Sequence, residues 1–144
     1  MHKAEKDIHV NAPVELVYQR WTDFEHFPNI FSHVKEVRKV GDDTYHWVAQ
    51  VGPQKIEWDA KTTMNVPNKS IGWSSVSGNK NSGEVRFEPM GEGTHLYVTI
   101  LYDPPGGVVG EVADSITHQF ARDLENDLKN FKKSVEANTA HKGQ

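Results

Sequence analysis

The sequence contains no cysteine. This absence excludes disulfide bonds, thiolate metal sites and a cysteine nucleophile together. Long apolar runs are also missing, so no segment reaches the length of a membrane span. The N-terminal residues Met1–Asp7 lack the apolar stretch of a signal peptide. We therefore expect a soluble, cytoplasmic protein without a membrane-spanning segment.

Positive charge is neither abundant nor concentrated. The 144 residues include 16 Lys and Arg against 20 Asp and Glu, which gives a formal net charge of −4. The basic residues are scattered and form no stripe of the kind that contacts nucleic-acid phosphates. The charge pattern argues against a nucleic-acid partner and leaves the oligomeric state open.

Motifs for metal, phosphate and nucleophile chemistry are absent too. The eight histidines include no His-Glu-x-x-His motif and no i, i+4 pair on a predicted helix. No Gly-rich phosphate loop and no Gly-x-Ser-x-Gly turn occurs. We predict no metal site, no cofactor and no assigned catalytic residue. His46 and His95 are the better histidine candidates for acid–base chemistry because both lie on predicted strands, but residue parity places His46 on the outer face.

What the sequence does contain is a long run of period-two patterns between helical regions. Glu5–Val10 reads as a strand, Val14–Trp21 as a helix opened by Asn11-Ala12-Pro13, and Phe24–Phe31 as a short helix capped by Asp23. Six further strands are predicted: Val34–Val40, Thr44–Val51, Lys55–Val66, Ser70–Val76, Gly83–Pro89 and Thr94–Tyr102. Apolar and charged residues alternate most regularly in the third of these, which is typical of an antiparallel sheet covered on one face.

A single long helix follows the last strand, after the turn Pro104-Pro105-Gly106-Gly107. Its apolar residues recur every three or four positions, as one helical face requires: Val109, Val112, Ile116, Phe120, Leu124, Leu128, Phe131 and Val135. Small residues, including Gly110 and Ala113, occupy the first half of this stripe and large residues the second half. Because no other predicted helix is long enough to cover the stripe, it must lie on the sheet, with a hollow under its N-terminal half.

These elements predict an α+β domain over residues 1–137, with residues 138–144 as a flexible C-terminal tail. About seven antiparallel strands curve around the C-terminal helix, in the order strand, two short helices, six strands and long helix. A sheet curved around a straight helix cannot contact it everywhere. We therefore expect a pocket of about 300 Å³ or more beneath Val109–Ile116.

The residues expected to line this pocket are mostly aromatic and uncharged, although core packing alone explains any single one of them. The ligand-binding candidates are Trp47, Trp58, Thr62, Trp73, Ser75, Phe87, Tyr102, Val109, Val112, Ala113, Ile116 and Phe120. Thr62 and Ser75 offer hydroxyls suited to orienting a carbonyl or a phenol. No Asp, Glu or Lys is expected on the inward faces. A lid or mouth is expected from Phe27, Phe31, Gly106, Gly107 and Gly110.

Short motifs spread over nearly the whole chain resemble those of a known protein superfamily. They are Val10-Asn11-Ala12-Pro13-Val14-Glu15-Leu16-Val17-Tyr18 with Trp21, Asp23-Phe24-Glu25-His26-Phe27-Pro28, His46-Trp47, Trp58-Asp59-Ala60, Ile71-Gly72-Trp73-Ser74-Ser75, Gly83-Glu84-Val85-Arg86-Phe87 and Tyr102-Asp103-Pro104-Pro105-Gly106-Gly107. Together they resemble the START-like, helix-grip (SRPBCC) superfamily, specifically its polyketide cyclase/dehydrase and coenzyme Q-binding START-domain groups. The resemblance implies a helix-grip fold with a cavity that different members use for lipid carriage, quinone binding, hormone sensing or cyclisation. No position matches the enzymatic members' polar cavity residues one by one, and parity places Arg86 on the outer face.

Three functional hypotheses follow. The first is a protein that binds or carries a small hydrophobic ligand, such as a lipid, a quinone or a polyketide-like molecule, in the pocket. The second is an aromatase/cyclase-type enzyme acting on a polyketide-like substrate, with Thr62, Ser75, Tyr102 and His95 as its candidate side chains. The third is a partner-binding module on the outer sheet face, which the charged row Lys55, Glu57, Asp59 and Lys61 argues against.

Overall fold

The computed structural model describes residues 2–51, 54–103 and 111–142, with side chains in the same ranges except at positions 51, 54, 111–114, 116 and 138–142. The elements follow in the order β1 (His2–Val10), α1 (Val14–Trp21), a 3₁₀ helix (Phe24–Asn29), β2 (Val34–Gly41), β3 (Thr44–Val51), β4 (Gln54–Val66), β5 (Ser70–Gly78), β6 (Asn81–Met90), β7 (Gly93–Tyr102) and α2 (Glu111–Lys142). This is the order that the sequence predicted.

The strands form one seven-stranded antiparallel sheet in the order β1-β7-β6-β5-β4-β3-β2. Strands β2 to β7 are sequential neighbours, and β1 pairs with β7 from His2 opposite Tyr102 to Val10 opposite Thr94. Register shifts interrupt the β2–β3 and β4–β5 pairs, and such irregularities bend a strand locally. The predicted α+β class, a curved antiparallel sheet with a long C-terminal helix, is confirmed.

Helix α2 has 32 residues and is therefore about 48 Å long at 1.5 Å per residue. It ends at Lys142, so most of the segment predicted as a C-terminal tail is helical, and the predicted boundary at residue 137 falls inside the helix. The large residues of its stripe, Leu124, Leu128, Phe131 and Val135, are all buried. The second half of α2 thus fills the core beneath the sheet.

An aromatic cluster joins α1 and the 3₁₀ helix to α2. The Trp21 ring meets Phe131 edge-on at a centroid distance of 5.1 Å and Phe27 at 5.4 Å. Phe27 in turn meets Phe31 at 4.4 Å. Edge-to-face pairs of this kind add to the free energy that burial of the rings provides. The short helices are thereby fixed over one end of the sheet.

The start of α1 differs from the expected cap. Residue Pro13, rather than Asn11, precedes the helix, and neither Pro13 nor Asp23 ahead of the 3₁₀ helix makes a side-chain capping bond. The Asn11 N–H instead donates to Glu136 Oε2 at 2.8 Å, and Lys132 Nζ donates to the His9 carbonyl oxygen at 2.9 Å. These long-range bonds fasten the C-terminal half of α2 to the end of β1 through backbone groups of His9 and Asn11.

Candidate ligand cavity

A cavity of about 140 Å³ lies between the inner face of the sheet and α2, closed at one end by the short helices. Its described wall consists of Trp21, Phe24, Phe27, Phe31, His33, Val34, Tyr45, Trp47, Ala49, Ile56, Trp58, Ala60, Thr62, Ile71, Trp73, Asn79, Asn81, Val98, Ile100, Tyr102, Asp103, Phe120, Leu124 and Asp127. All four tryptophans of the chain contribute to it. The wall is thus predominantly aromatic and aliphatic, as small-molecule sites usually are.

The volume corrects the sequence-based expectation. At about 140 Å³ the cavity has about half of the 300 Å³ that the pattern predicted. The described wall is largely aromatic, and most of the side chains of Val109–Ile116, beneath which the pocket was expected, lie outside the described set. A cavity of about 150 Å³ holds one benzene-sized ring. The described space therefore fits one ring rather than a fused polycyclic molecule.

Strand register places the central aromatics of the wall. Trp47 on β3 lies directly opposite Trp58 on β4, and their rings are parallel within 4° at a centroid distance of 6.0 Å. Thr62 on β4 lies opposite Trp73 on β5. Directly opposed residues of an antiparallel pair point to the same face. The two tryptophans and the threonine of β3 and β4 therefore face one space together with Trp73.

Most of the predicted ligand-binding residues that the structure describes do come together. Trp47, Trp58, Thr62, Trp73, Tyr102 and Phe120 line the cavity, as do the two predicted lid phenylalanines, Phe27 and Phe31. The side chains of Val112, Ala113 and Ile116 on α2 are outside the described set, and so are residues Val109, Gly106, Gly107 and Gly110. Their assigned roles remain predictions.

Two predicted wall residues lie elsewhere. The Ser75 hydroxyl accepts a hydrogen bond from the Asn81 N–H at 3.1 Å and is not part of the described wall. Phe87 is buried beneath α1, edge-on to Tyr18 at 5.6 Å, and is not part of the described wall. Parity identified their face of the sheet correctly but not their position along it. The cavity occupies only part of that face.

A buried carboxylate in the cavity wall contradicts the expectation that the inward faces carry no Asp, Glu or Lys. Asp127 on α2 has 0% of its side chain exposed. Its Oδ1 accepts hydrogen bonds from the Ser32 N–H at 3.1 Å and the Ser32 hydroxyl at 3.3 Å. Its Oδ2 contacts Nδ1 of His33, which also lines the cavity. A His–Asp pair therefore joins the segment before β2 to α2 at the cavity wall.

The sequence does contain one sign of this buried carboxylate, which is the position of Asp127 on the apolar stripe of the helix. Asp127 follows Leu124 by three residues and precedes Phe131 by four, so it lies on the same face as both. A carboxylate on an otherwise apolar stripe must find partners or pay a large desolvation cost. His33 offers no such periodic signal, because it lies in the segment between the 3₁₀ helix and β2.

The indole N–H of Trp58 and the hydroxyl of Tyr102 are two further polar groups of residues that line the cavity. The buried Trp58 Nε1–H has no hydrogen-bond partner among the described residues. Tyr102 stacks on Phe120 at a centroid distance of 4.5 Å. Burial raises the pKa of the Tyr102 hydroxyl, and the neighbouring Thr117 side chain opposes that rise. The tyrosine is therefore neutral at physiological pH and offers no charge to the cavity.

A polar depression adjoins the cavity at the end of α1. Thr22, Asp43 and Asn65 form its polar part, and Phe24, Tyr45, Thr62 and Ile71 belong to both spaces. The Phe24 and Tyr45 rings meet edge-on at 5.2 Å at this boundary. The cavity and the polar depression therefore share one wall.

The other histidine candidates lie outside the cavity. His95 hydrogen-bonds through Nε2 to Asp7 Oδ2 at 2.6 Å, and His46 lies between Asp59 and Glu57. Neither lines the described wall. Of the four side chains considered for catalysis, Thr62 and Tyr102 line the cavity, whereas Ser75 and His95 do not. Within the described ranges, no three or more His, Asp or Glu side chains are grouped so as to hold a metal ion.

The His46–Asp59 pair makes stability depend on pH. Its hydrogen bond, 2.6 Å between Nδ1 and Oδ1, raises the pKa of His46 above 6.5 despite burial and lowers the pKa of Asp59 below 3.8. The stabilisation that His46 adds to the free energy of unfolding is complete below the pKa of the histidine in the unfolded chain. It is lost as the pH rises through the higher pKa of the histidine in the folded protein. The stabilisation that Asp59 adds is complete above the pKa of the aspartate in the unfolded chain. It is lost as the pH falls through the lower pKa of the aspartate in the folded protein. We expect His46→Gln to lower the melting temperature most near about pH 5.5 and least near about pH 9. Thermal melts across this range measure the difference, and an equal loss at both ends would contradict the assignment.

No helix in the described part of the chain combines the length and the apolar character that crossing a bilayer requires. The predicted cytoplasmic location is a separate matter and stays a prediction.

Comparison with known proteins connects this architecture to a family. Residues 10–129 match the family model described as polyketide cyclase / dehydrase and lipid transport. An uncharacterised protein from Streptomyces lincolnensis is 33% identical over 138 residues, which cover 94% of this chain and 91% of the relative. A crystal structure from Deinococcus radiodurans is similar with a TM-score of 0.74 and 26% identity, over 95% of this chain and 99% of that one.

An aromatase/cyclase from a Streptomyces species shares the fold with a TM-score of 0.73 and 18% identity, over 94% of this chain and 93% of the other. A START superfamily protein is also among the solved structures with this fold. These two structures share the fold, and the family match over residues 10–129 confirms the superfamily that the sequence motifs suggested. The chain belongs to the polyketide cyclase/dehydrase and lipid transport family.

Proposed function

We propose that the protein binds a small hydrophobic, ring-containing ligand in the cavity between the sheet and α2, as a binding protein or carrier. The observation that carries the proposal is the cavity itself, about 140 Å³ walled by all four tryptophans of the chain. Native cores are packed to the density of organic crystals and hold few voids larger than a water molecule. A retained apolar space of this size is therefore better explained by a ligand than by structure alone.

The polar groups of the wall narrow the ligand class. A buried donor without a partner costs about 1–3 kcal/mol, and the Trp58 Nε1–H is in that situation among the described residues. A carbonyl or hydroxyl oxygen on the ligand removes the cost by accepting this hydrogen bond. Quinones and cyclic or aryl ketones of one ring meet this requirement better than hydrocarbons of the same shape. Lipids fit only with a ring or a short chain in the described space.

Filling the cavity tests the proposal. Ala60 is buried in the wall between Trp58 and Thr62, so Ala60→Leu places extra carbon atoms where the ligand is expected. We expect the affinity for an aryl ketone such as acetophenone to fall by about tenfold or more, with a loss of unfolding free energy of at most about 1–3 kcal/mol. Quenching of the wall tryptophans and isothermal titration calorimetry measure the binding.

The same substitution at an exposed site provides the control. Ala137 of α2 is exposed, so Ala137→Leu is expected to leave acetophenone binding unchanged. Absence of saturable binding by the wild-type protein to acetophenone, cyclohexanone and benzoquinone would overturn the proposal. Equal binding by the Ala60 and Ala137 variants would show that the ligand lies elsewhere.

A cyclase-type activity is the second candidate. The observation that favours it is the His33–Asp127 pair in the cavity wall, since such a pair can accept a proton from an acidic carbon or hydroxyl group. The likeness in fold to an aromatase/cyclase is consistent with this but carries no residue roles. Incubation with a synthetic aryl polyketone, followed by mass spectrometry for loss of water, tests it directly. An unchanged product distribution with and without protein would exclude it.

A further inference from the structure

We propose that His33, held by Asp127, accepts a hydrogen bond from a hydroxyl group on the bound ring, so that the cavity selects phenols and enols over hydrocarbons of the same shape. This inference rests on the proposed function. It adds to that function a residue that determines specificity, His33, and the ligand group that His33 recognises, a hydroxyl that donates a hydrogen bond.

Asp127 fixes the orientation of the imidazole. Ser32 supplies two hydrogen bonds to Oδ1 of the carboxylate, and Nδ1 of His33 contacts Oδ2. A carboxylate accepts and does not donate, so the proton of a neutral imidazole is placed on Nδ1. The other ring nitrogen, Nε2, is thereby left as an acceptor. The same logic governs histidines whose tautomer is set by a neighbouring carboxylate elsewhere.

The location of His33 makes this acceptor available to a ligand. Its side chain is 16% exposed and contributes to the cavity wall. Its ring lies edge-on to Phe120 at a centroid distance of 6.1 Å, and Phe120 stacks on Tyr102. Because Nδ1 faces Asp127, Nε2 lies on the opposite edge of the ring. A ring hydroxyl in the cavity is therefore offered a directed acceptor in a predominantly apolar wall.

The pair is not explained by stability alone. Burying polar side chains costs free energy that their hydrogen bonds only offset, so a His–Asp pair adds less to folding than well-packed apolar residues would. Asp127 has 0% exposure on a helix face whose other buried members are Leu124, Leu128, Phe131 and Val135.

The imidazole of His33 and Nε1 of Trp58 have opposite hydrogen-bonding roles, because His33 accepts and Trp58 donates. A ligand with both a hydroxyl and a carbonyl group satisfies both.

Phenol and toluene form a pair of probes with the same shape, and the ratio of their affinities is the quantity to measure. In the wild-type protein we expect this ratio to favour phenol by about tenfold more than in His33→Leu, with toluene affinity equal in the two proteins. The matched control is His95→Leu, because His95 also pairs with a carboxylate but lies outside the cavity wall. That variant should keep the wild-type ratio.

A second variant and a measurement on the wild-type protein separate a positioning role from a structural one. In Asp127→Asn the amide can donate to Nδ1, which moves the imidazole proton to Nε2 and removes the acceptor. We expect this variant to lose the phenol preference and to show the other tautomer in ¹⁵N spectra of His33. In the wild-type protein, the Nε2 resonance of His33 should shift on addition of phenol and not of toluene.

The outcomes separate this inference from the proposed function. Failure of both phenol and toluene to bind at the cavity would overturn the proposed function and with it the inference. Binding of both, with the same affinity ratio in wild type and in His33→Leu, would overturn the inference alone. If His33→Leu does not fold, the wild-type spectrum decides. An Nε2 resonance of His33 that does not shift on addition of phenol would also overturn the inference.

Discussion

Phe131→Ala is expected to lower the free energy of unfolding by about 3–5 kcal/mol, the usual cost of removing a fully buried aromatic ring. The Phe131 side chain is 0% exposed and lies on the stripe of α2 between Leu128 and Val135. Its ring meets Trp21 edge-on at 5.1 Å, so the substitution removes the contact that connects α2 to α1. Urea denaturation followed by far-UV circular dichroism measures the loss.

The matched control is a truncation on the outer face. Val76 on β5 is 62% exposed, and Val76→Ala is expected to change the unfolding free energy by less than about 0.5 kcal/mol. A domain of this size has a total stability of about 5–15 kcal/mol, so the Phe131 variant is expected to retain its fold only at low temperature and low denaturant. A loss of under about 1 kcal/mol would show that the core rearranges around the missing ring.

The architecture could be predicted from the sequence because its periodic patterns are long. Strand β4 alternates apolar and charged residues from Lys55 onward, and the stripe of α2 repeats from Phe120 to Val135. Each pattern contains enough repeats to outweigh single exceptions. The ends were less accurate: α2 extends to Lys142, and β1 begins at His2, since neither terminus carries a strong stop signal.

The site could be predicted only in part, because periodicity gives the face of a residue but not its neighbours. Trp47, Trp58 and Trp73 were placed on the inner face and line the cavity. Phe87 has the same parity but packs against Tyr18 of α1 and is not part of the described wall. The His33–Asp127 pair depends on a contact between residues that are distant in sequence. No local pattern encodes such a pairing.

The interior volume could not be predicted for a related reason. Parity and stripe size say which side chains face inward, but the free space depends on how their rings pack. Trp47 and Trp58 lie parallel against each other, whereas Phe24 and Tyr45 meet edge-on. The described volume is about 140 Å³, and the inward parity of the residues does not contain such packing information.

Gly83 is the position at which backbone packing and the cavity are most directly linked. It lies on β6 opposite Trp73 of β5, and the indole ring covers it. A Cβ atom at Gly83 would lie 2.5 Å from the Thr99 carbonyl oxygen and 2.6 Å from Cζ2 and Cη2 of Trp73. The Thr99 oxygen belongs to the neighbouring strand β7 and cannot withdraw without disturbing the ladder. Both the β6–β7 backbone and the Trp73 ring, which lines the cavity, must therefore shift.

Gly83→Ala is accordingly expected to lower the free energy of unfolding by about 1–3 kcal/mol, as overpacking does, and to weaken ligand binding by displacing Trp73 into the cavity. Gly72→Ala is the matched control, since a Cβ atom there would meet Thr63 Oγ1 at 3.3 Å and Gly83 and Met64 atoms at 3.5 Å. The hydroxyl of Thr63 can rotate away, so we expect a smaller loss and unchanged binding. Denaturant melts measure the first effect, and near-UV circular dichroism with acetophenone titration measures the second. If the two variants are equally stable and bind acetophenone equally well, the contact between Gly83 and Trp73 does not set the shape of the cavity.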